Sequence, residues 1–198
     1  MIKKISSRES MFLQTLAIIN LLAELDQANF LQSDYFSQLK YQDEEYKLLI
    51  EKTGIGNTGL LQMTLYALLV LPKELEIYET NMHLDNINRK IDELVENSDT
   101  YTNYKKDNSK KEEKGYKMNY LLHIRNAVSH GQCEYSNYNN EDKFVIFRDK
   151  DPMNNNYYCK IKIKTCKLNE IIYMLKNRVI EFLNENHDLK ELSRNIDL

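Results

Sequence analysis

The chain has 198 residues, of which 42% are hydrophobic and 29% charged, a composition that excludes a disordered polypeptide and suits one globular domain over residues 1–198. Only five glycines and two prolines are present, which argues against a β-sandwich or a glycine-loop nucleotide fold and favours a mainly helical one. With 30 acidic and 27 basic side chains, the net charge of −3 excludes a chain that is strongly basic throughout.

The first predicted helix covers residues 7–31. Ser6 and Glu9 form a capping-box pattern at its start, in which the hydroxyl and the carboxylate each accept from a free backbone N–H of the first turn. Apolar residues then recur with helical spacing, and Ile18 and Leu21 are expected to widen the stripe that faces the core.

A short helix over 43–52 is predicted next, with Gly54 as a left-handed cap. The glycine-rich run that begins there lacks the Lys-Ser/Thr ending of a phosphate-binding loop, and no strand precedes it. Asn57 or Thr58 is instead predicted to cap a helix over 60–71 that is apolar nearly all round. Such a helix belongs in the middle of a bundle or at a subunit contact.

Helical periodicity continues from Leu75 to Val95 and then stops. Residues 97–115 hold almost nothing apolar and are predicted to form a flexible charged linker or loop. Lys110 and Lys111 lie in this segment near tyrosines, so they are candidate contacts to RNA, with a solvated linker as the alternative.

A helix resumes after Gly115 and is followed by two strands within 143–165, predicted to form a β-hairpin inserted before a last helix over 168–186. Residues 149–156 are dense in turn-forming side chains and are predicted to connect the two strands. Alternation in the second strand places three lysines on its outer face: Lys160, Lys162 and Lys164. This row either binds phosphates or protects a sheet edge from aggregation.

The most informative segment is the end of the helix before this hairpin, where Arg125, Asn126 and His130 are followed by Gly131. Asn126 and His130 are four residues apart and share a helix face, whereas Arg125 and His130 lie about 140° apart at ~100° per residue. One copy therefore brings the arginine and the histidine together poorly, but two copies across a twofold axis would supply four groups to one cleft. The residues alone also allow a structural role, with an ion-paired arginine and a histidine that ends a helix.

The pattern Arg125-Asn126-x3-His130 at a helix end resembles the Arg-x4–6-His motif of the HEPN superfamily, named for higher eukaryotes and prokaryotes nucleotide-binding domains. Residues 57–74 and the hairpin with its final helix resemble a plasmid- and phage-associated branch of HEPN nucleases. The resemblance implies a HEPN-like helical bundle. Many members are metal-independent endoribonucleases of toxin–antitoxin, abortive-infection or antiphage defence systems, whereas others bind nucleotide or RNA without cutting it.

Carried over to this sequence, the resemblance makes Arg125 and His130 the two fixed motif residues and Asn126 the polar residue beside the arginine. It implies a homodimer that cleaves RNA through the 2′-OH, with His130 moving a proton, Arg125 stabilising the phosphate and Asn126 orienting His130 or an oxygen. Tyr135 is a further predicted RNA contact. Gln132 stands where toxins silenced by a nucleotidyltransferase antitoxin carry a tyrosine, so that form of regulation is not expected.

The expected partners are RNA, for example the single-stranded anticodon loop of a tRNA, a second copy of the chain, and an antitoxin or regulatory protein. No cofactor and no metal are implied. The other interpretation of the same motif is a catalytically inactive HEPN-type module that binds RNA, nucleotide or protein.

Charge and cysteine content leave two further points open. Residues 9–100 carry 16 acidic and 6 basic side chains, whereas residues 101–198 carry 14 and 18, so the second half either binds a polyanion or attracts the first half. The cysteines form no paired motif and no apolar stretch approaches a membrane span, so a reducing cytoplasmic location without membrane contact is expected. A zinc site has four candidate ligands whose spacing matches no common pattern, with buried thiols as the alternative. These candidates are His130, Cys133, Cys159 and Cys166. His123 is expected to be a helix-face residue.

Overall fold

A computed structural model describes residues 6–74, 84–100, 118–136, 143–150 and 157–186. These residues form eight α-helices and a four-stranded antiparallel sheet, which confirms the predicted mainly helical fold with β-structure before the last helix. The helices are α1 (Ser7–Gln27), α2 (Asp34–Gln38), α3 (Glu44–Thr53), α4 (Thr58–Leu65), α5 (Leu71–Glu74), α6 (Leu84–Leu94), α7 (Tyr120–Ser129) and α8 (Thr165–Asn186). The strands are β1 (Val95–Thr100), β2 (Cys133–Tyr135), β3 (Phe144–Lys150) and β4 (Tyr157–Lys164). In the part of the chain that the structure describes, no single helix is long and apolar enough to cross a membrane.

Helix α1 begins with the predicted capping box. The Ser6 hydroxyl accepts from the Glu9 N–H at 3.2 Å, and the Glu9 carboxylate accepts from the Ser6 N–H at 2.8 Å. The helix ends at Gln27 and not at 31, because Asn29 adopts a left-handed backbone conformation with φ 52°.

The buried stripe of α1 is narrower than predicted. Phe12 and Ile19 are buried, but Ile18 and Leu21 are each 57% exposed, so the expectation that they widen the core-facing stripe is wrong. Met11, seven residues before Ile18, is 53% exposed on the same side. An apolar row therefore remains uncovered along α1 in the single chain.

The glycine-rich run between α3 and α4 is a helix start. The Asn57 side chain accepts from the N–H groups of Gly59 and Leu60 at 2.8 and 3.1 Å, which confirms Asn57 as the cap of α4. Gly54 has φ 77° and ψ 167°, so it takes a positive φ but not the left-handed helical conformation that was predicted.

Helix α4 continues without a break through a wider π-helical turn, Tyr66–Val70, into α5. Four of the five side chains in this turn are buried, so the apolar helix does lie in the middle of the bundle. Pro72 neither starts a new helix nor ends this one. It has no N–H to donate to the preceding turn, and the change of hydrogen-bond pattern lies directly upstream of it.

The sheet has the strand order β1-β4-β3-β2, with every neighbouring pair antiparallel. Strand β1 directly follows α6. The predicted helix therefore ends one residue before Val95, and the prediction of a linker is wrong for residues 97–100, which belong to β1. An edge strand needs only backbone pairing, which the polar residues 97–100 supply by pairing with β4. The remainder of the predicted linker, with Lys110 and Lys111, lies outside the described residues.

Strands β3 and β4 lie within 143–165 and pair with each other, but they form the middle of a larger sheet and not an isolated hairpin. Strand β3 continues through Asp149 to Lys150, so the predicted turn from residue 149 is wrong at these two positions. Val145, Phe147 and Asp149 alternate on the buried face of β3, against which α7 packs. This packing brings a strand carboxylate beneath the helix that ends in His130.

Candidate functional site

The end of α7 is fixed by its backbone. His130 is the C-cap, and Gly131 adopts φ 63°. The Gly131 N–H donates to the Val128 carbonyl at 3.3 Å, and the Gln132 N–H donates to the Ala127 carbonyl at 2.7 Å. This pair of bonds is a Schellman motif, which uses the glycine to satisfy the last carbonyls of a helix. The predicted stop at Gly131 is confirmed, and the backbone of His130, an exposed residue, is held in one place.

Arg125 is anchored from behind by a chain of hydrogen bonds. Its Nη2 donates to Asn126 Oδ1 at 3.0 Å, and Asn126 Nδ2 donates to Asp149 Oδ2 at 3.0 Å. The same carboxylate oxygen lies 2.7 Å from His123 Nδ1. Because a carboxylate can only accept, Nδ1 of His123 carries the hydrogen.

The end of this hydrogen-bond chain that is farthest from Arg125 is buried. His123 is 1% exposed and Asp149 is 3% exposed, whereas Arg125 is only half-buried. A buried carboxylate needs donors to offset its lost hydration, and Asn126 and His123 supply two. His123 is therefore a core residue with a specific partner, and not merely the helix-face residue that was expected.

The predicted link from Asn126 to His130 is made by the backbone alone. The His130 N–H donates to the Asn126 carbonyl at 3.1 Å, while the Asn126 side chain turns towards Asp149 and Arg125. Within this chain, the expected orientation of His130 by the Asn126 amide is not seen. The catalytic roles of Arg125, Asn126 and His130 remain predictions.

The lysine row lies on the outer face of β4, since it alternates with Cys159, Ile161 and Ile163, which are fully buried. Two of its members contact an aromatic ring: Lys162 Nζ lies 3.8 Å and Lys164 Nζ 5.9 Å from the centroid of Phe144. Cation–π contact of this kind stabilises the lysines on the sheet. Because β4 pairs with β1 on one side and with β3 on the other, it is an inner strand, so the alternative of edge protection is wrong. Phosphate binding by the lysine row stays a prediction.

An acidic side chain lies near the first lysine of the row. Lys160 pairs across the strands with Arg148, which donates from Nε and Nη2 to Glu134 at 2.7 and 2.8 Å. The pKa of Glu134 is lowered, first by the hydrogen bond from Arg148 and also by the charges of Lys160 and Lys150. The outer face thus holds one carboxylate that the sequence analysis did not connect with the lysine row.

Tyr135 connects the sheet with two helices. Its hydroxyl donates to the Gln62 side chain in α4, and Gln62 Nε2 donates to the Val128 carbonyl of α7 at 3.2 Å. Burial raises the pKa of the Tyr135 hydroxyl, with a smaller contribution from Cys133. The predicted RNA-contacting tyrosine therefore also holds β2 against the end of the motif helix.

A cavity of about 650 Å³, lined in part by Tyr135, opens between α1, the α3–α4 connection, β3 and α8. Its lining includes three lysines, Lys52, Lys143 and Lys176, and we call it the cationic cleft. None of the described residues that line it is acidic, although Asp26 lies beside it and accepts from the Gly56 N–H at 2.9 Å. The three lysines come from distant parts of the chain, so no sequence pattern indicates the cleft.

The zinc alternative is wrong for the four proposed ligands. Among the described residues, no three His, Cys, Asp or Glu side chains are grouped so that they could hold a metal ion. Cys159 is buried with Sγ 3.4 Å from Met118 Sδ, and Cys166 is exposed. Burial raises the pKa of the Cys133 thiol to about 12, which disfavours the thiolate that a metal would need.

The structure combines a helical bundle, a late antiparallel sheet and an Arg-x4-His pair at the capped end of α7, which agrees with the HEPN-like bundle that the resemblance implies. The family model described as HEPN pEK499 p136 matches residues 5–190. The chain therefore belongs to this plasmid-associated HEPN family, which confirms the resemblance seen in the sequence. Searches of curated proteins and of solved structures found no significant match. Family membership indicates a nuclease-like or nucleotide-binding module.

Proposed function

We propose that the protein is a metal-independent endoribonuclease that acts as a homodimer in the cytoplasm, in a defence or toxin–antitoxin system. The observation that carries this proposal is the anchored guanidinium of Arg125 on the same helix end as the exposed His130. Cleavage of RNA by its own 2′-OH requires a group that moves protons and a group that stabilises phosphate charge. An imidazole and a guanidinium are suited to these two tasks.

In the proposed reaction, the 2′-OH attacks the adjacent phosphorus and the bond from phosphorus to the 5′-oxygen breaks. The 2′-OH loses its proton to a base, and the leaving 5′-oxygen gains one, so the products are a 2′,3′-cyclic phosphate and a 5′-OH. His130 serves one of these proton transfers, and its copy in the partner serves the other. The planar donors of Arg125 bind the non-bridging oxygens, where negative charge increases in the transition state.

A homodimer is proposed because Arg125 and His130 are separated around the axis of α7 by about 140°. A second copy related by a twofold axis would add a second pair to the same cleft. The exposed row on α1, formed by Met11, Ile18 and Leu21, supports self-association, since apolar side chains more than half exposed gain free energy when covered.

Single-stranded RNA is the proposed substrate, with an anticodon loop as one example, because unstacked RNA can adopt the in-line geometry. Two cationic surfaces are available for its phosphates. One is the lysine row of β4, and the other is the cationic cleft, whose wall contains Tyr135. An antitoxin or other regulatory protein is proposed as a further partner.

The second candidate function is a catalytically inactive HEPN-type module that binds RNA or nucleotide. The cationic cleft favours it, because a cavity of about 650 Å³ is of the size that small ligands occupy. Lysines and the aromatic rings of Tyr135 and Phe144 in its lining suit a phosphate and a base. Such binding would need neither Arg125 nor His130.

Purified protein incubated with total RNA, with and without chelator, separates the two candidates. We expect chelator-resistant cleavage that leaves 2′,3′-cyclic phosphate ends and is lost in Arg125→Ala and His130→Ala. Arg89→Ala, which removes an exposed arginine on α6, is the matched control and should cleave like the wild type. Light scattering on every variant checks the oligomeric state. Intact RNA together with measurable RNA binding would favour the inactive module, and cleavage that chelator abolishes would contradict metal independence.

A further inference from the structure

The carboxylate of Asp149 is the buried end of the hydrogen-bond chain that reaches Arg125. We propose that Asp149 is a positioning residue for Arg125, acting through the Asn126 amide, and that His123 holds Asp149 in place. This proposal rests on the proposed function, because it assigns Arg125 a fixed position before RNA arrives. The supporting residues come from two elements, since His123 and Asn126 lie on α7 and Asp149 lies on β3.

The donors and acceptors in this hydrogen-bond chain permit only one orientation of the Asn126 side-chain amide. Arg125 can only donate and an ionised Asp149 can only accept, so Asn126 must turn its oxygen to the guanidinium and its nitrogen to the carboxylate. If the amide flipped, two donors would face each other at Arg125 and two acceptors at Asp149. The carboxylate therefore decides which group Asn126 presents to the arginine.

His123 removes the remaining freedom of this arrangement. Its Nδ1 lies 2.7 Å from Asp149 Oδ2, and Asn126 Nδ2 lies 3.0 Å from the same oxygen, so two donors bind one acceptor atom. His123 and Asp149 are almost completely buried, which keeps water from replacing the bond between them. The carboxylate is thereby fixed relative to α7 and not only to its own strand.

Asp149 cannot act on RNA directly. It is 3% exposed, its bond towards Arg125 goes to the Asn126 amide, and its charge would repel a phosphate. Its effect is on preorganisation: a guanidinium that is already in position does not lose orientational freedom during the reaction. Loss of that position should therefore lower kcat more than it raises KM.

The test uses the isosteric variant Asp149→Asn in the full-length protein, with steady-state cleavage of a defined RNA. We expect kcat to fall by about 10–100-fold, since a displacement near 1 Å can cost that much, while KM changes less than about threefold. Glu181→Gln is the matched control, because it removes an exposed carboxylate that pairs with Arg178 on α8 and belongs to neither the lysine row nor the lining of the cationic cleft. It should remain within about twofold of the wild type.

A second readout does not depend on cleavage. The guanidinium NMR signals of Arg125, assigned by their loss in Arg125→Ala, should show restricted rotation in the wild type. These signals should become averaged in Asp149→Asn. They should also become averaged in Asn126→Ala, which leaves the His123–Asp149 pair intact and serves as the second variant if Asp149→Asn does not fold. A folded Asp149→Asn protein with wild-type kcat, or guanidinium signals that stay unchanged in it, would overturn the proposal. A wild-type protein that does not cleave RNA would instead overturn the proposed function, and the NMR comparison would still test the positioning.

Discussion

Replacement of His123 by alanine should destabilise the fold strongly. The variant removes a buried partner from Asp149 and leaves a carboxylate that is 3% exposed with a weakened set of donors. Removing one partner from a buried carboxylate, which leaves its charge poorly compensated, typically costs about 3–5 kcal/mol. Because Asn126 still donates to the same oxygen, we expect the lower end, about 3 kcal/mol.

For a chain of this size, each kcal/mol lowers Tm by roughly 2–4 °C, so Tm should fall by about 6–12 °C. Urea unfolding at pH 7, followed by far-UV circular dichroism, measures the free energy of unfolding directly. The matched control is Glu134→Gln, which breaks an exposed ion pair with Arg148 and should cost about 0.2–1 kcal/mol.

The combined variant His123→Leu/Asp149→Leu checks the origin of the effect. When both buried polar partners become apolar, no uncompensated charge is left, so the double variant should lose less stability than the two single variants together. A His123→Ala protein within about 1 kcal/mol of the wild type, with an unchanged urea m-value, would refute the reasoning that Asp149 depends on this histidine.

Four further predictions concern other parts of the chain. Gly131→Ala should cost about 1–2 kcal/mol, because φ 63° is unfavourable for a side chain even though open space surrounds the added methyl group; an unchanged urea midpoint would contradict this. In native protein treated with iodoacetamide at pH 8, mass spectrometry should find Cys166 alkylated before Cys133, whose pKa of about 12 keeps it a thiol. The same shift makes the free energy of unfolding fall as the pH rises from about 9 to about 12, because only the unfolded chain loses the proton there, and Cys133→Ala should reduce that fall. Replacing all three lysines of the cationic cleft by serine should weaken the binding of single-stranded RNA, and the slope of the logarithm of the binding constant against the logarithm of the salt concentration should become less negative by about 2. If this change in slope follows only from replacing the three lysines of the β4 row, the RNA binds at the row and not in the cleft.

Local signals predicted the features that depend on a few adjacent residues. The capping box at Ser6, the cap at Asn57 and the stop at Gly131 each need only a short stretch of chain, and the structure has all three. The motif helix and the central apolar helix were likewise evident from periodicity. These features follow from backbone hydrogen bonding that neighbouring residues satisfy.

Features that depend on contacts between distant segments were not predicted. Asp149 was assigned to a turn because polar residues follow it, although its alternation with Val145 and Phe147 was a signal that β3 continues. Its pairing with His123 joins residues 26 apart in sequence, and no local pattern indicates it. Ile18 and Leu21 were assigned to the core because periodicity identifies an apolar face but does not tell whether another element covers it.

The position of Asp149 on β3 also restricts how this strand can change during evolution. Successive side chains of a strand point to opposite faces, so inserting or deleting one residue between Val145 and Asp149 would exchange the two faces from that point onward. The carboxylate would turn to solvent, and a neighbouring basic side chain would be forced beneath Asn126. Length variation within this strand should therefore be selected against even where the hydrophobic composition of the sheet is preserved.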